Sequence, residues 1–375
     1  MARLLAPFCR ESSSFWRMFI MKTSSLISVS CLLASTAFAS SAAGATFWTG
    51  ADVSDDNWNT VGNWSNGLPL SNGTNNATID LAGAVVNLNA PGFSRNTLVS
   101  GTGGAAPVLN IAANLTNPFS AINVGSDATG SNFSGVVNHT AGTVNIGGGS
   151  GSRRLLIAAA ANPTSTGTGN TGTYNFGGDA LNAPSLIVND FVGIAARSGE
   201  TGFFNLSGSG SVQIANQLTL GQFNGSGNMS VTGGLLDINI GGDFSIAPAG
   251  AGSSSLSVTI TDTGLSTINV GGDVVLDFAG TTPGSAAFNL NVDGSFVPVA
   301  GTKFVVIDAD GSFTGLGGFA GIADGDVITA GGVDFTANYD TSGSGTQFTL
   351  TVIPEPGSLG LVMLGGLAVG FRRRR

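Results

Sequence analysis

Between Ala121 and Asp273 the chain repeats itself, and that repeat limits what it can fold into. The landmark is an alternating apolar pair followed by a small residue: Ile122-x-Val124-Gly125, Leu155-x-Ile157-Ala158, Val192-x-Ile194-Ala195, Leu218-x-Leu220-Gly221 and Phe244-x-Ile246-Ala247. The small residues at 125, 158, 195, 221 and 247 lie 33, 37, 26 and 26 residues apart. A second landmark follows each of the first four: GVVNHTAGTVNI, GTYNFGGDALNA, GFFNLSGSGSVQI and GNMSVTGGLLDI. Each unit thus offers short period-2 strands separated by Gly, Asn, Ser and Asp turns. A unit with one apolar side per strand cannot bury that side alone, so its core exists only through stacking on copies of itself. The pattern therefore predicts an all-β chain, a right-handed parallel β-helix with loops of unequal length. The competing architecture is an antiparallel β-sandwich, which also spaces short strands closely. Asn138, Asn175 and Asn205 recur at one position and are expected to form a ladder along the stack.

The flanks read as caps. Residues 46–120 read as a Trp-rich N-terminal cap and first strands, and hold Trp48, Trp58 and Trp64, in the order Trp48-x-Gly50, Trp58, Asn63-Trp64, Gly67-x-Pro69. A first coil has an open apolar end that large rings can cover; the rival reading is a sugar-stacking site on exposed indoles. The segment resembles the opening of exported β-solenoids, autotransporter-like passengers among them. From 274 to 352 the strands lengthen, with Phe288, Phe304, Phe335, Tyr339 and Phe348 in alternation, and read as hairpins of a C-terminal β cap. The boundaries that follow are 1–45, 46–120, 121–273, 274–352 and 353–375.

Charge narrows the partners. The whole chain carries a net charge of -9, but between Thr46 and Ile353 five basic residues face twenty acidic ones, a net of -15. Phosphate binding needs clustered cations, so nucleic acid is not an expected partner. The 59 glycines accompany 42% hydrophobic residues, which marks a turn-rich β chain rather than a disordered one.

The two ends read as addresses. Lys22, the apolar run Leu26 to Phe38 and the small residues at Ala37-Phe38-Ala39 and Ala43-Gly44-Ala45 make a secretion signal, with cleavage expected after Ala39 or Ala45. Arg3, Arg10 and Arg17 lengthen its basic region, which makes Met18 or Met21 a candidate start. Cys9 and Cys31 both fall in the part removed, so no disulfide and no Cys-ligated metal is expected in the mature chain. At the other end stand Pro354-Glu355-Pro356, fifteen uncharged residues from Gly357 to Phe371, then Arg372, Arg373, Arg374 and Arg375. The prolines exclude helix and leave an extended strip. The apolar run is slightly short against the roughly 17–25 residues of a spanning helix, and the arginines place its far end in the cytoplasm. These parts, in this order, resemble the PEP-CTERM sorting signal. The resemblance implies a C-terminal hydrophobic helix held transiently in the inner membrane of a Gram-negative bacterium. It also implies an exosortase-type membrane protease as partner, cutting near Pro354-Glu355-Pro356, and display at the cell surface or in extracellular matrix, where exopolysaccharide is a candidate partner.

Catalytic signals are sparse, and a non-enzymatic structural role without cofactor is expected. His139 is the sole histidine and lies in the strand-like string VVNHTAG. Asp308-x-Asp310-Gly311 and Asp324-Gly325-Asp326 are weak calcium candidates; counted from Asp308, position twelve of an EF-hand loop is Phe319. Gly241-Gly242-Asp243 and Gly271-Gly272-Asp273 lack the calcium-binding nonapeptide, and the glycines around Gly147 to Gly151 open no helix. A carbohydrate-binding or polysaccharide-degrading β-helix is the alternative.

Overall fold

The computed structural model describes residues 44–69, 75–117, 121–126, 132–147, 153–159, 168–221, 224–247, 253–276, 286–315, 318–340 and 345–354, all within one compact unit. Ala39, Glu355, Pro356 and the expected leader and C-terminal helix, with Arg372 to Arg375, lie outside the described residues.

The body is all-β and built of coils, the arrangement of a parallel β-solenoid. One coil shows the plan: Ile122–Val124, then Phe133–His139, then Thr143–Ile146, after which Leu155–Ile157 opens the next. Each strand pairs in parallel with its counterpart one coil on, as in Ile122↔Leu155, Val136↔Thr173 and Val144↔Leu186. Among the described residues the first face is a ladder of ten strands in chain order, from Thr46–Phe47 to Phe313–Gly315. In the middle coils the second and third faces merge into single long strands, Thr201–Ile214 and Ser226–Ile240, with a register shift between Ser207 and Ser209.

The parallel stack is longer than the repeat seen in the sequence. Ala77–Ile79 and Thr97–Val99 already belong to the ladder, and Val274–Leu276, Ala286–Val292 and Phe313–Gly315 continue the faces beyond Asp273. The long antiparallel pairings lie at the end, where Thr346–Val352 lies between Lys303–Ala309 and Val333–Asp340; a short one also joins Phe133 and Ser134 to Thr102 and Gly101.

The core consists of aligned columns, because identical register puts side chains of successive coils on top of one another. Ile79, Val99, Val124, Ile157, Ile194, Leu220, Ile246 and Leu276 form one such column, all buried. The small residue after each pair has a backbone cause. Gly125, Ala158, Ala195, Gly221 and Ala247 all adopt positive φ, between 51° and 71°, turning the chain from the first face to the second. For the three alanines this left-handed turn costs roughly 1–2 kcal/mol each. Their amides remain in the ladder, as in Ala158 N–H to the Val124 carbonyl at 2.8 Å. At Gly125 only glycine fits: a Cβ would lie 1.9 Å from the Thr171 carbonyl oxygen.

Both ends of the stack are covered by aromatic rings. Trp48 and Trp58 pack edge-on against Trp64, with ring centres 5.2 and 5.0 Å away, and Trp64 Nε1 donates to the Trp58 carbonyl at 2.7 Å. At the other end Phe348 meets Phe288, Phe319 and Tyr339 at 4.9, 5.1 and 4.9 Å. Half-buried Tyr339 Oη accepts from Phe319 N at 2.8 Å, and desolvation pushes its pKa up to about 12.

Candidate functional site

The asparagine ladder is continuous. Asn110, Asn138, Asn175 and Asn205 each donate from Nδ2 to the Oδ1 of the Asn one coil earlier, beginning at Asn87, every bond at 2.8 Å. Ser230 Oγ extends the ladder by donating to Asn205 at 2.9 Å. These amides mostly satisfy one another, so the row is structural.

Other residues singled out by the sequence are also occupied. Trp48, Trp58 and Trp64 are 3%, 1% and 4% exposed, so no indole face is open to a sugar. His139 is buried in a core column between Ile111 and Phe176. Asp308 Oδ1 accepts from Gln347 Nε2 at 3.0 Å; Asp324 and Asp326 accept from the backbone of Tyr339 and Ala323. Among the described residues no three His, Cys, Asp or Glu side chains converge as a metal site. The Gly-Gly-Asp strings gain a role that sequence reasoning missed: Asp243 Oδ1 accepts from Asp273 N at 2.9 Å, and Asp273 Oδ1 from Ser312 N at 2.8 Å. Their 30-residue separation, one coil, was the available signal.

Two concavities among the described residues bear on function. A shallow groove of about 520 Å³ crosses the third face over Gln213, Asn239 and Asn269 and reaches Asp308 and Asp310. The second, a cleft of about 220 Å³, lies where the chain leaves the terminal sheet, with Pro298 and Ala300 on one side, Val333 and Asp334 on the other, and Pro354 at its edge.

That exit is sharply defined. Val352 is held on one side, its N–H on the Thr302 carbonyl and its carbonyl on Gly301 N–H, both at 2.9 Å. On the other side Ile353 N–H donates to the Asp334 carbonyl at 2.8 Å. Pro354, exposed and without an N–H, ends the pairing. Residues up to Ile353 are therefore locked into an interior strand. At the opposite end Ala45 immediately precedes the first strand; its carbonyl accepts from Asn66 Nδ2 at 3.0 Å, and Thr46 N–H donates to the Asn76 carbonyl at 2.8 Å.

A family model described as the PEP-CTERM protein-sorting motif matches residues 352–375. The chain carries a PEP-CTERM sorting motif. The motif overlaps the terminal strand at Val352, passes through Ile353, which is still bonded to the Asp334 carbonyl, and leaves the fold at Pro354. PEP-CTERM proteins are exported and sorted to the cell surface by exosortase, and the motif implies processing by such an enzyme. Comparison with curated proteins and with solved structures gave no match.

Proposed function

We propose that this chain is an exported, non-enzymatic β-solenoid, delivered by its PEP-CTERM tail to an exosortase-type membrane protease and then displayed at the cell surface or in extracellular matrix. The coils are taken as right-handed, the sense of nearly all parallel crossovers. In this reading the tail passes transiently through the inner membrane, and Pro354-Glu355-Pro356 is substrate, not catalyst. The observation that carries it is the abrupt end of an interior strand at Ile353, directly followed by the exposed Pro354 of a matched sorting motif. A protease that takes its substrate extended finds no free backbone upstream of Pro354, so cutting is confined to that residue or beyond. The body supplies a rigid rod whose acidic surface opposes self-association. Changing Pro354 and Pro356 to Ala, or deleting Arg372 to Arg375, should leave full-length chain in the inner-membrane fraction. Surface chain of unchanged mature mass would refute the reading.

The groove on the third face favours a second role, binding of a neutral, hydroxyl-rich polymer such as exopolysaccharide. The amide nitrogens of Gln213, Asn239 and Asn269 are engaged within the stack, on Ser211 and Asp237, on Asp237, and on Asn239 respectively. Their row points along the coil axis and has no basic residue in it. Retention on immobilised host polysaccharide, lost on Asn239→Ala with Asn269→Ala, tests it; equal retention of the variant would remove it.

A further inference from the structure

We infer that the partner at the tail reads the folded edge of the terminal sheet as well as the motif, through the loop Val297-Pro298-Val299-Ala300; this rests on the sorting role proposed above. All four residues are exposed, with Val297 at 77% and Val299 at 63%. Four consecutive exposed apolar residues are a defect in a soluble surface unless something covers them.

This loop is held in place. Ser295 N–H and Phe296 N–H bind the side chain and carbonyl of Asp293 at 2.8 and 3.0 Å, Thr302 N–H binds the Val299 carbonyl at 3.0 Å, and the Phe296 ring packs edge-on against Phe304 with ring centres 5.7 Å apart. Pro298 and Ala300 form one wall of the cleft at Pro354. A fixed apolar edge is thus presented beside the point where the substrate strip leaves.

Chain length decides what meets that edge. Gly357, where the apolar run begins, is three residues beyond Pro354, and three residues reach at most about 11 Å. With the run in the bilayer, the loop stands at headgroup level, a zone roughly 5–8 Å deep on each side. Any active site that engages Pro354-Glu355-Pro356 must therefore touch the terminal sheet, since no spacer separates the two. The residues favour a protein partner over lipid. The loop offers small aliphatic groups without the Trp, Tyr, Lys or Arg that anchor at a bilayer interface, and Asp293 and Asp334 stand beside it. The occupant is accordingly the apolar extracytoplasmic mouth of the membrane protease that processes the tail.

The test is the rate of tail removal from the full chain in its host, followed by pulse-labelling. Val297→Asp with Val299→Asp should slow processing about tenfold, the loss typical when central apolar contacts of an interface are removed. Leu181→Asp, at a site 93% exposed on a turn four coils earlier, should leave the rate unchanged and controls for added charge. Inserting six Gly/Ser residues between Ile353 and Pro354 uncouples sheet from strip; in that background the two Asp substitutions should have no effect on rate. Normal processing of the Val297→Asp/Val299→Asp chain, with the Arg372 to Arg375 deletion still blocking it, overturns this inference and leaves the sorting role intact. Processing that survives the deletion fails the sorting role itself. Processed wild-type chain that sediments with phosphatidylethanolamine/phosphatidylglycerol vesicles, but not after the two Asp substitutions, assigns the loop to lipid and also overturns the inference.

Discussion

His139 should make the solenoid weaken in mild acid. The ring is fully buried, Nε2 lies 3.1 Å from the Gly142 carbonyl and Nδ1 3.2 Å from Tyr174 Oη. A carbonyl can only accept, so Nε2 carries the proton, and Nδ1 of the neutral ring accepts from the Tyr174 hydroxyl. Protonating Nδ1 would place a charge in an apolar column and remove the acceptor of a buried phenol. Burial accordingly drives the His139 pKa from 6.5 down to about 4, against a smaller opposing pull from the Gly142 carbonyl. Between those values the unfolded chain binds the proton and the folded chain does not, so stability falls as pH falls. Each pH unit in that window is worth about 1.4 kcal/mol, or about 3 kcal/mol across it. Asp52, Asp179 and Asp293, whose pKa values are lowered by bonds from Ser54, Asn182 and Ser295, lose their stabilisation only below 3.8 and leave the window clear. Because a solenoid unzips coil by coil, the measurement is hydrogen exchange at the amides of Phe133–His139 and Thr171–Phe176 between pH 7 and 4. The control is His139→Phe with Tyr174→Phe, which leaves no unpaired donor. The wild type should lose about 3 kcal/mol more local stability than the control; parallel curves would refute the neutral buried histidine.

Three further outcomes follow from the coil geometry. Asn175→Ala removes two rungs of the amide ladder and should cost about 1–2 kcal/mol, read as a lower urea midpoint, since water reaches part of the gap. Gly125→Ala should prevent stable folding of its coil because of the 1.9 Å approach to Thr171, whereas Ala158→Gly should be neutral or stabilising by up to about 1 kcal/mol, as relief of its positive φ is offset by a freer unfolded chain. Calcium and sodium at matched ionic strength should raise the melting temperature equally, by screening the acidic body; a calcium-specific rise abolished by Asp308→Ala or Asp310→Ala would reveal a site.

The stack was legible in sequence where two physical constraints coincide. The left-handed corner demands Gly or a tolerated Ala, and the preceding pair must face inward, so Gly125, Ala158, Ala195, Gly221 and Ala247 stand out. First strands were expected within 46–120, but their place in the repeat was hidden because Ser100 stands where later coils have Gly or Ala after Thr97–Val99, and tryptophans dominate the segment. The later ones were mistaken for hairpins because period-2 alternation in Ala286–Val292 reads the same with parallel or antiparallel neighbours. Coil length gave no help: successive first-face strands start 20 residues apart at Ala77 and Thr97 but 39 apart at Val274 and Phe313, with the difference taken up in turns. The motif was legible as a string, while its abutment on an interior strand at Ile353 depends on partners as remote in sequence as Gly301 and Asp334. The Val297 to Ala300 loop carried a signal, its uninterrupted apolar run, that acquires meaning only beside Pro354.

Intact-mass and C-terminal peptide analysis of the chain recovered outside the cell tests the central claim most directly. The account predicts a chain that begins after Ala39 or Ala45, ends at Pro354 or within the two residues that follow, and lacks the apolar run and all four arginines. An exported chain that still ends in Arg375, or one cut upstream of Ile353 within the locked strand, would contradict it.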